Sequence, residues 1–158
     1  MANNENKLSH LKMDNNSYPD LDKLFDTQAS LQKFISKNLD ITDITEPLIN
    51  VKTKVEWLLK NKHAFDDEFS EMLDAVGGIN DGIGSAGWKW WKIKNKDTAL
   101  HNGVVLTPED LLELKFEYID MLHFFINMGI ILGLNGSEVM NLYMAKNKEN
   151  IERQKRGY

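Results

Sequence analysis

Apolar side chains recur at steps of three and four along most of the chain, the spacing of one face of an α-helix. From Pro19, the positions Leu21, Leu24, Phe25, Leu31, Phe34 and Ile35, with Gln28 in the same series, define a first helix that should stop near Asn38. Val51, Val55, Leu58 and Leu59 define a second over about 51–60. A third runs from about Asp66 to Val76, where Gly77-Gly78 ends it. Residues 77–87 (G-G-I-N-D-G-I-G-S-A-G) hold five glycines and read as a loop. The clearest helix start is T-P-E-D at 107–110. Thr107 suits the N-cap, Pro108 the first helical position, and Glu109 and Asp110 the positive end of the helix dipole. That helix should reach about Leu132, with Gly133 as its terminator, and a last helix spans about Ser137 to Lys155.

Strand signals are scarce: Gly103 to Leu106 could form a short extended piece, and no segment alternates. The fold class is therefore all-α, a helical bundle with a site built from facing helices. At 158 residues the chain reads as a polar, flexible tail over 1–17 followed by one domain over 18–158. The 42% hydrophobic content is enough for a core, and the absence of cysteine excludes disulfides and thiolate metal sites. A net charge of −5 argues against direct nucleic-acid binding. The longest apolar run, Met121 to Leu134, is interrupted by His123 and Asn127 and falls short of the roughly 20 residues of a membrane span. With no apolar signal stretch at the amino end, the expectation is a cytoplasmic protein with no membrane partner.

Two acid pairs carry the candidate chemistry. Glu68 and Glu71 stand three residues apart in D-D-E-F-S-E-M, and Glu117 and Asp120 repeat that spacing in K-F-E-Y-I-D-M. Residues at i and i+3 share a helix face, so two such helices face to face would gather four carboxylates. Four like charges stay together only if cations neutralise them or some take up protons. Oxygen-only ligation points to Mg²⁺, Mn²⁺ or Ca²⁺ rather than zinc or copper. An E-x-x-E pair is commonly a solvated surface, and the chain has 24 acidic residues. Asp120, however, sits amid Tyr118, Ile119, Met121, Leu122, Phe124 and Phe125, where burying an unpaired acid would be costly.

Lys146, Asn150 and Arg153 fall on one helical stripe, a donor set suited to phosphate, or else a basic helix end that complements the dipole. W-K-W-W-K at 88–92 could stack on bases or close a core. No G-x-x-x-x-G-K-[ST] loop is present, which disfavours a P-loop enzyme.

In order along the chain stand E-x-x-E, W-K-x-W-K, E-x-x-D-x-x-H-F and Y-x-x-K-N-x-x-N-x-x-R-Q-x-x-G-Y. That order resembles the dimeric all-α dUTPases of the MazG-like NTP pyrophosphatase superfamily, and within it the dCTPase-dUTPase group of T-even-type phages. The resemblance covers roughly residues 19 to 158. It implies a homodimer that hydrolyses dCTP and dUTP to the monophosphates and pyrophosphate with Mg²⁺, Mn²⁺ being a possible substitute. Carried over by position, Glu68, Glu71, Glu117 and Asp120 would hold metal, with Glu68 or Glu71 as the base. Lys146, Asn150, Arg153 and Tyr158 would grip the phosphates and sugar, and Trp88 and Trp91 would border the nucleotide. Gln28 matches a family glutamine near the base. Gln32 stands where dimeric dUTPases tend to carry Asn, and a primary amide can present either its oxygen or its nitrogen, so Gln28 and Gln32 are expected to accept both uracil and cytosine. Sixteen residues separate Glu71 from Trp88, more than in many cellular relatives. The alternatives are a dUTP-only enzyme, a broader MazG-type pyrophosphatase, and a non-enzymatic helical interaction module.

Overall fold

The computed structural model describes residues 14–47, 50–75 and 108–157. These form four helices: α1 (Pro19–Leu39), α2 (Val51–Ala75), α3 (Pro108–Ile131) and α4 (Gly136–Lys155). Among the described residues there is no strand, in keeping with the all-α expectation. The Gly103–Leu106 stretch, Thr107 and the 77–87 loop lie outside the described residues. No single described helix is long and apolar enough to cross a membrane.

The second and third helices expected from the pattern are one continuous helix, α2. The apolar period lapses at 61–65 (N-K-H-A-F), but that stretch contains no glycine or proline to stop a helix. Asn61 occupies a core position there and satisfies its amide within the helix, donating from Nδ2 to the Trp57 carbonyl at 2.8 Å. Asn50 starts the helix by accepting from the Thr53 N–H at 2.8 Å and from its hydroxyl. The expected end of α3 is where the pattern placed it. Gly133 takes φ +81°, its N–H reaches the Ile130 carbonyl, and Leu134 N–H reaches that of Gly129. This paired closure is a Schellman motif, which a left-handed glycine permits.

By contact density the chain divides into two compact units, one made of the described parts of 1–47 and 129–158, the other of 48–128. In the first, α1 packs against α4. Phe25, Ile44, Ile131 and Ala145 are buried there, as are the polar side chains of Gln28, Ser36 and Asn141. The two helices meet closely at their amino ends. A methyl group on Gly136 would come within 2.3 Å of the Leu21 backbone, so only glycine fits. Asp22 accepts a hydrogen bond from the Ser137 N–H at 2.7 Å and another from its hydroxyl. These bonds place a carboxylate at the positive end of α4 and hold Asp22 below the usual carboxylate range. Asn135 caps the same helix end through the Glu138 N–H. The segment before α1 is tied down as well: Tyr18 N–H donates to the Ser137 hydroxyl at 2.7 Å, and Asn16 and Asn141 exchange two hydrogen bonds.

In the second unit, α2 and α3 run antiparallel, since Asn61 meets Asn127 while Glu68, further along α2, meets Glu117, further back on α3. Met121 and Ile126 are buried on α3. The buried Asn127 donates from Nδ2 to Asn61 Oδ1 at 3.0 Å.

Candidate metal centre

The i, i+3 spacing on α2 brings both of its acids to one point, where Glu117 of α3 meets them. Glu68, Glu71 and Glu117 each offer a carboxylate oxygen, all within 4.8 Å of one another. Glu68 and Glu117 are half-buried and Glu71 is exposed. Asp120 stands outside that trio, yet its charge acts on both Glu68 and Glu117. It is exposed, as are its neighbours Tyr118 and Ile119. The expectation of a costly buried acid at Asp120 is therefore corrected: the α3 apolar run turns a different face to the core, through Met121 and Ile126.

Crowding shows in the proton affinities. Partial burial pushes the Glu68 carboxyl above its ordinary range, and the charges of Glu71, Asp120, Glu117 and Asp67 add to it. Glu117 is raised by burial, then by Glu71, Asp120 and Glu113, with a hydrogen bond to Glu68 pulling the other way. Each neighbour penalises ionisation, and a cation among them would reverse the sign of that penalty. The donor set is all oxygen, part open to solvent, and fits a hard divalent ion such as Mg²⁺. Asp67 and Glu113 add to this crowding without belonging to either i, i+3 pair. For Glu113 the signal was available, since it lies one turn before Glu117 on α3.

An apolar cavity of about 280 Å³, lined by Phe65, Tyr118, Met121, Leu122 and Phe125, lies within the same unit.

The remaining predicted residues fall in the other unit or outside the described ones. Gln28 is buried on α1 and Gln32 half-buried one turn on. On α4, Lys146 and Asn150 are exposed, and Arg153 is half-buried. Arg153 Nε lies 3.3 Å from Glu149, which also receives Arg156 at 3.1 Å, while Lys155 pairs with Glu152 at 2.8 Å. The basic tail is thus partly neutralised within its own helix, through partial surface pairs that a polyanion can displace cheaply. Trp88, Trp91 and Tyr158 lie outside the described residues.

A family model for dUTPase matches residues 20–133. The chain is 36% identical over 140 residues to a dCTP pyrophosphatase of Enterobacteria phage T4, covering 87% of this chain and 82% of that protein. It is 42% identical over 104 residues to a dCTP pyrophosphatase of Enterobacteria phage LZ5, covering 65% and 60% respectively. A DNA replication protein of phage T4 is 35% identical over 130 residues, which span 81% of this chain and 33% of that protein. No solved structure matches the chain. With an all-α, MazG-like fold, a family match over most of its length and dCTP pyrophosphatases as relatives, the chain belongs to the dUTPase family and is a nucleotide pyrophosphatase.

Proposed function

We propose that the protein is a Mg²⁺-dependent hydrolase of dCTP and dUTP, releasing pyrophosphate and leaving dCMP or dUMP, and that it acts as a homodimer in the host cytoplasm. The observation that carries this reading is the convergence of Glu68, Glu71 and Glu117, with Asp120 beside them, from two facing helices. Glu68, Glu71, Glu117 and Asp120 would hold the metal, which when bound would supply positive charge against the triphosphate and polarise its oxygens. Mn²⁺, similar in ligand preference, would serve as a substitute.

The chain's own residues do the rest. Glu68 or Glu71 takes the proton of the attacking water as the general base. Lys146, Asn150 and Arg153 receive the phosphates, with Arg153 exchanging its Glu149 partner for substrate oxygen. Tyr158 would complete that grip, and Trp88 and Trp91 would border the nucleotide. Gln28 and Gln32, on one face of α1, present amides that turn to match either the 4-oxo group of uracil or the 4-amino group of cytosine.

The homodimer is supported by large apolar side chains exposed among the described residues: Phe34 and Tyr143 in the first unit, and Phe116 and Tyr118 in the second, are each at least 60% exposed. The relatives' phage origin supports a role in setting pyrimidine deoxynucleotide pools for phage DNA synthesis.

Pyrophosphate release measured across the common dNTPs, with and without Mg²⁺, tests the proposal. Turnover of dCTP and dUTP that requires the metal is expected. Turnover of dUTP alone overturns the dual-base reading, equal rates on purine nucleotides favour a broader pyrophosphatase, and no turnover removes the assignment.

A further inference from the structure

The acids alone do not say how α2 and α3 should be aligned along their lengths. Without a cation they repel, and α3 carries further acids at near-helical spacing, with Glu113 one turn before Glu117 and Asp120 about one turn after. A slip of α3 by one turn, about 5.4 Å, would bring a different carboxylate opposite Glu68. The apolar residues of α3 specify the alignment less sharply, because neighbouring turns carry Met121, Leu122, Phe125 and Ile126, whose hydrophobic contacts are non-directional.

The Asn61–Asn127 pair does not tolerate such a slip. Asn127 is 2% exposed and Asn61 6%, and they are joined by a hydrogen bond of 3.0 Å. Asn61 is itself oriented by its bond to the Trp57 carbonyl, so its oxygen is aimed at α3. A slip of either helix would leave a buried amide facing apolar side chains, a direct penalty on the wrong alignment. Glu68 lies seven residues from Asn61, about 10 Å along α2, and Asp120 seven residues from Asn127 along α3 in the opposite sense. The amide pair and the carboxylates thus sit at matched distances on the same two rods.

We propose that Asn61 and Asn127 are positioning residues: their buried amide bond sets the register of α2 against α3 and thereby assembles the four-carboxylate site. This rests on the metal-site reading above, and the experiment separates the two. Mn²⁺ binding, read from loss of the free-ion electron paramagnetic resonance signal without nucleotide, is measured beside the melting temperature and kcat/KM on dUTP. The variants are Asn61→Leu/Asn127→Leu together, and Glu117→Gln. The leucine pair packs without orienting, so it is expected to keep the wild-type melting temperature or exceed it. Its Mn²⁺ affinity should fall about tenfold or more, with kcat/KM falling in step. A leucine pair that binds Mn²⁺ as tightly as the wild type overturns the proposal. Should that pair fail to fold, Asn127→Ser is measured the same way: weakened Mn²⁺ binding in a folded protein supports the role, and wild-type binding overturns it. Unchanged Mn²⁺ affinity in Glu117→Gln instead overturns the metal-site reading itself.

Discussion

Replacing Gly136 with alanine tests how tightly α1 and α4 are joined. The added methyl carbon would stand 2.3 Å from the Leu21 carbonyl carbon, 2.4 Å from its oxygen and 2.5 Å from the Asp22 nitrogen. Carbon atoms sit comfortably at about 3.5 Å or more, so the helices must part by about 1 Å. All three obstructing atoms are backbone, so no side chain can swing aside. The same movement would stretch the 2.7 Å bond from Ser137 N–H to Asp22 beyond hydrogen-bonding range. Overpacking of this kind costs about 1–3 kcal/mol. Alanine recovers up to about 1 kcal/mol of helix propensity, less at a first helical residue. A net loss of about 2 kcal/mol lowers the melting temperature of a chain this size by roughly 4–8 °C. Circular dichroism at the helix band reads it directly. With Gln28 on α1 and Lys146 and Arg153 on α4 holding substrate as proposed, KM should rise together with the loss of stability. A variant melting within a degree of the wild type would refute the close helix contact.

Three further outcomes are expected. Asp22 titrates below its ordinary range, so its contribution to stability is in place above that range and is lost as pH falls through the depressed value; Asp22→Asn should flatten the acid side of a melting-temperature profile, and an unchanged profile contradicts the assignment. Glu68 and Glu117 are shifted upward, so the cation-free protein loses stability as pH climbs from the ordinary value of 4.5 through the raised ones. A divalent cation favours the ionised forms, so the thermal shift on adding saturating Mg²⁺ should be larger at about pH 8 than at about pH 5, and equal shifts speak against the site. Glu71→Gln should abolish pyrophosphate release, by about two orders of magnitude or more, while equilibrium binding of dUTP persists in part; near wild-type turnover removes Glu71 from the mechanism.

Much of this structure was legible in the residue pattern, for physical reasons that can be named. Helices α1, α3 and α4 announce themselves through three-and-four spacing, Pro19 and Pro108 at their starts, and Gly133 at a turn that needs positive φ. The meeting of Glu68 and Glu71 was legible because a separation of three residues fixes a shared helix face whatever the surroundings, whereas on α3 only Glu117 of its pair joins them. The continuity of α2 was hidden because Asn61 breaks the apolar series, and only its partner on α3, 66 positions away, explains a polar residue there. The clasp of Asp22 on Ser137 was hidden for the same reason: a capping carboxylate 115 positions from its helix leaves no local spacing to read. The pairing of Arg153 with Glu149 is local and readable at i, i+4, but the same arginine also lies on the stripe of Lys146 and Asn150, so spacing alone does not say whether it meets a ligand or its own helix. Exposure of Asp120 shows the limit of composition, since apolar neighbours in sequence are not neighbours in space on a helix.

The most direct test of the four-carboxylate account is a crystal structure of the protein with Mg²⁺ and a non-hydrolysable α,β-imido analogue of dUTP. The account predicts metal density bound by oxygens of Glu68, Glu71, Glu117 and Asp120 at about 2.0–2.1 Å, with the triphosphate on the same ions. Metal and triphosphate held by other residues, with these four acids turned to solvent, would contradict it.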